Sequence, residues 1–433
     1  MELGYLAVYA VPFAAIWLVY SLWQRRSDAR NLDAKARAAE AGLTEPASLH
    51  PIFDHGKCMG CGSCVAACPE GEIIGIVRGK AELIEGSECI GYGACRLACP
   101  YDAITLVFGT EKRGQDIPHV NGDFQTNVPG LFIAGELGGM GLIRNAIEQG
   151  KQAIESIRKL DGFGQTNVLD VVIVGSGPAG ISASLAAKAH KLKYLTVEQE
   201  SLGGTVAHFP RGKLVMTQPA ELPLAGKFKF TEIFKEELLE IWEKIVSQHK
   251  LRIRYGERVD DIKKNGNGFE VKTTKGVYPA RAVLLAIGRR GTPRRLEVPG
   301  EEQSKVVYRM IDPAQYEGQH VLVVGGGDSA LEAAGSIATE TKATVTLSYR
   351  SEAFSRAKPK NRARADQAEQ AGRLKVMLKS KVLEIGPDFV EIEWQGKKQR
   401  LKNDAVIICA GGILPTNFLK SIGVEVETKY GTA

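Results

Sequence analysis

Residues 168 to 182 read VLDVVIVGSGPAGIS, and the fold of the chain is decided there. Val171, Val172, Ile173 and Val174 form an uncharged β-branched run, the pattern of a strand buried on both faces of a parallel sheet. Gly175, Gly177 and Gly180 follow at once in the spacing G-x-G-x-x-G. The first glycine permits the turn, the second lets backbone approach a pyrophosphate, and the third lets the next helix pack on the strand. Pro178 and Ala179 open that helix, whose N-terminal N–H groups are free for phosphates. Lys193 to Glu198 (KYLTVE) adds a second strand that ends in an acid about 20 residues on, placed for a ribose hydroxyl. Together these predict a dinucleotide site; a glycine turn without a ligand is the alternative.

A second unit of the same kind stands about 150 residues on. His320 to Ala334 (HVLVVGGGDSALEAA) is again strand, glycine turn and helix, with Gly325 and Gly327 in the turn, Asp328 and Ser329 next, and Ala330 at the third small position. Two such units imply two dinucleotides. The strand after the second, Thr344 to Tyr349, ends in Arg350 rather than an acid, with Arg356, Lys358 and Lys360 beyond. An acid there would bind the 2′-hydroxyl of NAD, whereas arginine accommodates the 2′-phosphate of NADP. NADPH is favoured over NADH, a solvated basic loop being the alternative.

The composition bounds the rest. With 433 residues, 44% hydrophobic and 24% charged, the chain is not disordered and has room for roughly two to four domains. The net charge of +6 is spread along the chain and gives no case for nucleic acid. Leu3 to Trp23 is a run of 21 residues without a charge, preceded only by Glu2 and followed by Arg25, Arg26 and Arg30. That length and flank predict a transmembrane helix kept as an anchor, with the bulk of the chain cytoplasmic, in preference to a cleaved signal or a hydrophobic helix off the membrane. Ser27 to Gly42 reads as a helical stalk and Thr44 to Pro51 as a loop.

Seven of the eight cysteines fall between Cys58 and Cys99, which is ligand spacing and not a disulfide framework. The eighth, Cys409, sits in the apolar run AVIICA and is expected to be a buried structural thiol. Cys58, Cys61, Cys64 and Cys68 with Pro69 give C-x2-C-x2-C-x3-C-P. Cys89, Cys95, Cys99 and Pro100 repeat it with Tyr92 in place of the second cysteine. Thiolates at this spacing hold iron–sulfur clusters, three around one cluster and the fourth turned to another. From about Pro51 to Phe108 the chain resembles two-cluster bacterial ferredoxins. That resemblance implies a 4Fe-4S cluster on Cys58, Cys61, Cys64 and Cys99. It also implies a second site on Cys68, Cys89 and Cys95, filled by a 3Fe-4S cluster or a 4Fe-4S cluster with a non-cysteine ligand, or empty. Zinc is the less favoured metal.

From Asn121 onward the chain resembles the thioredoxin reductases and their ferredoxin-NADP-reductase-like and bacilliredoxin-reductase-like relatives. Asn127 to Ile154 resembles the segment in which that family contacts the ribityl chain and isoalloxazine of FAD; Gly135, Glu136 and the triplet Arg144, Asn145 and Ala146 stand at its contact positions. In the family this segment comes last, whereas here it precedes the Gly175 turn, so the resemblance implies a circular permutation. Gly203-Gly204-Thr205 resembles the triplet before a redox disulfide, with Val206 and Arg211 where cysteines would stand, and Val306 to Gln319 has no cysteine. The implied class is α/β: two Rossmann-like FAD and NAD(P) domains of the pyridine nucleotide-disulfide oxidoreductase type, circularly permuted, with an α+β ferredoxin domain and an N-terminal transmembrane helix. The expected division is anchor 1–24, stalk 25–50, iron–sulfur domain 51–108, FAD domain 109–165 and 166–295, NAD(P) domain 296–408, and a return to the FAD domain at 409–433.

The carriers imply the function. Electrons would pass between NADPH, FAD, the clusters and a redox partner, which the sequence leaves open among an electron-transfer protein, a quinone and a membrane redox subunit. Whether the chain forms a homodimer is equally open. No side-chain acid or base is required for the chemistry. A flavin-dependent disulfide reductase and a non-catalytic redox sensor or membrane scaffold are the alternatives.

Overall fold

The computed structural model describes residues 2–431 except 47–48, 112–113, 140, 161–167, 210, 217–218, 229–232, 290 and 356. It divides into two compact units, one formed by Met1–Arg113, Glu352–Pro359 and Tyr430–Ala433, the other by Gly114–Ser351 and Lys360–Lys429.

The first unit begins with one continuous helix, α1 (Glu2–Glu40). Its apolar residues from Tyr9 to Trp23 are mostly exposed. Among the described residues no helix is long and apolar enough to cross a membrane, which overturns the expected transmembrane anchor and, with it, the single-pass placement with a cytoplasmic bulk. Beyond Trp23, α1 runs on through Arg25, Arg26, Asp28 and Arg30. The second half of α1, read as a stalk, is docked: Asn31 is buried and its Nδ2 donates to the Ile76 carbonyl at 2.8 Å. Lys35 Nζ meets the Glu82 carboxylate at 2.5 Å. Asn31→Ala leaves that carbonyl without its donor and should cost about 1 kcal/mol, read as a lower urea midpoint of this unit with faster amide exchange in residues 27–40.

The remainder of the unit is two copies of one small motif. Strands β1 (His50–Phe53) and β4 (Ile104–Val107) pair antiparallel, as do β2 (Ile74–Val77) and β3 (Lys80–Leu83). Two one-turn helices, α2 (Ser63–Ala66) and α3 (Ala94–Leu97), are each capped by a left-handed glycine, Gly62 (φ 77°) and Gly93 (φ 74°). Cys58, Cys64, Cys89 and Cys95 are buried in one core with Ile73, Ile74, Ala81 and Ile104.

The second unit holds two principal sheets, the first mixed and the second parallel. In the first, β7 (Leu169–Val174) has β8 (Tyr194–Val197) on one side and Val277–Leu285 on the other, all parallel. The chain crosses between β7 and β8 through α5 (Pro178–Ala189). The alternation of β7 follows from burial on both faces: Val172 and Val174 enter one core, Val171 and Ile173 the other. The segment ahead of the glycine turn completes this sheet, since β6 (Leu131–Ile133) pairs parallel with Val283, Leu284 and Leu285. Its helix, α4 (Ile143–Ile157), contributes Ala153, Ile154 and Ile157 to the core it shares with Ala179, Ala183 and Ala187 of α5. Near the far end of the chain, Val426–Lys429 pairs antiparallel with β5 (Gln115–Pro118). The second sheet, ordered Val306–Val307, Ala405–Ile408, His320–Val324, Thr344–Tyr349, Leu374–Leu378, is parallel throughout.

Candidate functional site

A cavity of about 1300 Å³ opens at the carboxyl ends of β7 and Val277–Leu285, where the strand order reverses about β7. In open parallel sheets that crevice is where dinucleotides bind. Gly175, Gly177, Pro178, Ala179 and Glu198 line it from the fingerprint side, and Gly135, Glu136 and Ala146 from the segment that precedes the fingerprint. Gly180 packs beneath: a Cβ there would lie 1.9 Å from the Gly175 carbonyl oxygen. Gly175 itself has φ +106°, a left-handed conformation open to glycine. Glu198 is buried and accepts the Ser176 N–H at 2.7 Å and the Glu200 N–H at 2.9 Å, so it fastens the turn to β8 while it borders the cavity.

Gly135 donates its N–H to Gln149 Oε1 of α4 at 2.8 Å, which anchors the neighbouring Glu136 at the cavity wall. Burial raises the Glu136 carboxyl above the usual carboxylate range, and the cation of Arg289 opposes that rise. Burial lowers Arg289 in turn, and its guanidinium donates to the Asp116 carbonyl at 2.9 Å. Sequence reasoning missed both Gln149 and Arg289; the two arginines after Gly288 were the available signal for the latter. Ala146 reaches the cavity with Leu142 and Ile143, whereas Arg144 and Asn145, in the same first turn of α4, are not among the lining residues.

The rim of the cavity carries charge. His208 Nε2 lies 2.5 Å from the Glu200 carboxylate, and Arg309 approaches the same carboxylate at 3.8 Å while it bonds His208 Nδ1. Val307, Tyr308 and Ile311 complete that side, and no lining residue is a cysteine.

The second glycine turn lies apart from this cavity. Gly325 (φ +146°) would place a Cβ 2.3 Å from the Cys409 carbonyl oxygen, and Gly327 stands ahead of the helix Asp328–Glu340. Ser329 follows Asp328 in its first turn and Ala330 is fully buried. Asn361 Nδ2 donates to Asp328 at 2.7 Å and to Glu332 at 3.1 Å, and Lys213 Nζ bonds both oxygens of Glu332 at 2.8 and 2.9 Å. Arg350 is exposed at the end of Thr344–Tyr349, and Arg356 lies outside the described residues. Cys409, expected to be buried, is half-buried as a residue, and desolvation pushes its thiol up to about 12.

In the first unit, the donor set fits iron–sulfur clusters. Burial pushes the Cys64 and Cys89 thiols up to about 11, and neighbouring thiols add to it: Cys58 and Cys95 beside Cys64, Cys95 and Cys68 beside Cys89. Thiolates crowded in an apolar core need a polycationic centre. Backbone N–H groups already point at sulfur, from Ala81 to Cys58 and from Ala103 to Cys99, both at 3.4 Å. Cys61 is exposed, with its Sγ 3.4 Å from Ser63 Oγ. Among the described residues no three ligating side chains converge on a single metal ion.

Residues 172–432 match the family model of the pyridine nucleotide-disulphide oxidoreductases, and residues 50–100 match that of the 4Fe-4S dicluster domain. A ferredoxin–NADP reductase of Thermus thermophilus is 29% identical over 272 residues, covering 60% of this chain and 77% of that protein. Bacilliredoxin reductase Bdr of Bacillus subtilis is 26% identical over 267 residues, covering 60% and 82%. The structure of bacillithiol disulfide reductase Bdr (YpdA) from Staphylococcus aureus superposes with a TM-score of 0.54 at 25% identity, over 60% of this chain and 81% of that one. The chain thus belongs to the pyridine nucleotide-disulphide oxidoreductase family, and is an NAD(P)H-dependent FAD oxidoreductase that also carries a 4Fe-4S dicluster ferredoxin domain.

Proposed function

We propose that this oxidoreductase exchanges electrons between NADPH and a one-electron carrier protein, with FAD in the large cavity and the iron–sulfur clusters as the exit. The observation that carries the reading is the cavity wall: it is lined by the expected flavin contacts yet holds no cysteine, while seven thiols are gathered in the ferredoxin unit. FAD supplies the conversion between a two-electron hydride and single electrons. The chain's own residues bind and orient. The Gly175 turn and the N-terminus of α5 face the pyrophosphate, Glu198 the ribose, and Glu136 with Arg289 the ribityl side. Among relatives, the name ferredoxin–NADP reductase is in keeping with this reading.

The clusters divide as Cys58, Cys61, Cys64 and Cys99 against Cys68, Cys89 and Cys95. The reductase part is a circular permutation, a reading supported by β6 in the flavin sheet and by the pairing of Val426–Lys429 with β5.

Nucleotide choice falls to Arg350. Loss of one charge-assisted bond to a phosphate removes about 1.5 to 3 kcal/mol. Arg350→Ala is therefore expected to raise KM for NADPH at least tenfold with little change for NADH, measured by steady-state reduction of an artificial acceptor. Equal effects on both nucleotides would refute the NADP assignment. The electron path is tested by anaerobic mixing of the reconstituted chain with NADPH, followed optically and by EPR.

A further inference from the structure

We propose that Lys80 raises the reduction potential of the cluster bound through Cys58 and so brings that cluster within reach of electrons from NADPH. The proposal rests on the reading that Cys58, Cys61, Cys64 and Cys99 hold a 4Fe-4S cluster.

The hairpin of β2 and β3 puts Lys80 at this ligand. Arg78 (φ 50°) and Gly79 (φ 78°) are both left-handed, as a two-residue hairpin turn requires, and Val77 pairs with Lys80 across it. The turn is pressed against the ligand loop, since a Cβ at Gly60 would stand 2.2 Å from the Gly79 carbonyl oxygen. From there the half-buried Lys80 donates from Nζ to the Cys58 carbonyl at 2.6 Å. The next residue, Ala81, donates its N–H to Cys58 Sγ at 3.4 Å. Two successive residues of β3 thus hold the backbone and the sulfur of one ligand, and the first of them carries a full positive charge.

The other half of the repeat lacks that charge. Lys80 stands nine residues ahead of Cys89, and nine residues ahead of Cys58 stands Leu49. The contacts are crossed: Lys80 meets Cys58, whereas the Leu49 carbonyl oxygen lies 3.9 Å from Cys89 Sγ. Leu49 is buried and apolar. The first cysteine of one site therefore has an ammonium beside it, and the first cysteine of the other has a hydrocarbon.

An added electron makes a cluster more negative, so a fixed cation nearby favours the reduced form over the oxidised one. Net charge and hydrogen bonding around the sulfurs set cluster potentials in this way. Cys58 is buried, which limits screening of the attraction by solvent. In the step concerned the cluster gains one electron from the flavin reduced by NADPH, and no bond in the protein is made or broken. Lys80 acts through Cys58 and is a positioning residue, not a ligand.

The test is an anaerobic redox titration of the reconstituted full chain, followed by EPR, on wild type, Lys80→Met, Lys80→Gln and Lys80→Arg. Glutamine removes the charge and keeps a donor for the Cys58 carbonyl, so it decides the matter if the methionine variant does not assemble a cluster. At a fixed potential, Lys80→Met and Lys80→Gln are expected to lower the reduced-to-oxidised ratio of the Cys58 cluster about tenfold, a midpoint shift of about 59 mV for one electron. Lys80→Arg is expected to stay within about twofold of wild type because it keeps the charge. Flavin reduction by NADPH should be the same in all four. An unchanged midpoint in Lys80→Gln would overturn the proposal, as would a Lys80→Arg midpoint displaced as far as that of Lys80→Gln, which assigns the effect to packing and not to charge. A wild type without a 4Fe-4S signal under dithionite, or with one that survives Cys58→Ser unchanged, overturns the cluster assignment and the proposal with it.

Discussion

Gly150→Val is expected to yield a protein purified without FAD, although Gly150 lies 25 residues ahead of the glycine turn at Gly175. A Cβ at Gly150 would stand 2.1 Å from the Ala179 carbonyl oxygen and 2.9 Å from its carbon. Those are backbone atoms of the first turn of α5, so no side-chain rotation relieves the clash. Helix α4 would have to move off α5, and the first turn of α5 borders the large cavity proposed for FAD. In an isolated helix, replacing glycine by alanine is favourable by about 1 kcal/mol. Here overpacking of about 3 kcal/mol or more decides the sign, because the neighbour is rigid backbone. Even Gly150→Ala should lower the melting temperature and the bound flavin per chain. Full flavin content in Gly150→Ala would show that α4 is not packed on the fingerprint helix, and the permutation would lose its main support.

Removing one thiolate from the first cluster should separate the two halves of the reaction. Cys61→Ala deletes an exposed ligand and opens no cavity in the core. NADPH should still reduce the flavin at the wild-type rate, while transfer to a one-electron acceptor protein falls by about an order of magnitude or more. Stopped-flow absorbance follows the first event and acceptor reduction the second. An unchanged acceptor rate would place the clusters off the path, and turnover of a small disulfide that survives cluster loss would favour a disulfide reductase.

The parts of this fold that were legible in sequence are those encoded locally. Val171 to Gly180 states a buried strand, a turn and a helix within ten residues, and Glu198 follows at the distance one crossover helix requires. The Tyr92 gap was legible because the cysteine spacing repeats. What the sequence did not disclose depends on contacts between distant residues. Arg289 meets Glu136 only after Val277–Leu285 has paired with β6, which brings together residues 153 positions apart. The docking of Asn31 on Ile76 was hidden for the same reason, since an alanine-rich charged helix reads alike whether free or packed. The anchor failed differently. Counting uncharged residues from Leu3 to Trp23 measures length alone, and among the described residues no helix is long and apolar enough to cross a membrane.

The central claim is that electrons from NADPH reach the iron–sulfur clusters. Substoichiometric NADPH, added anaerobically to the reconstituted full chain and frozen at set times, tests it most directly. The account predicts loss of the oxidised flavin absorbance followed by the EPR signal of a reduced 4Fe-4S cluster in the wild type, and loss of flavin absorbance alone when the clusters are left out. Clusters that stay oxidised under NADPH while dithionite reduces them would contradict it.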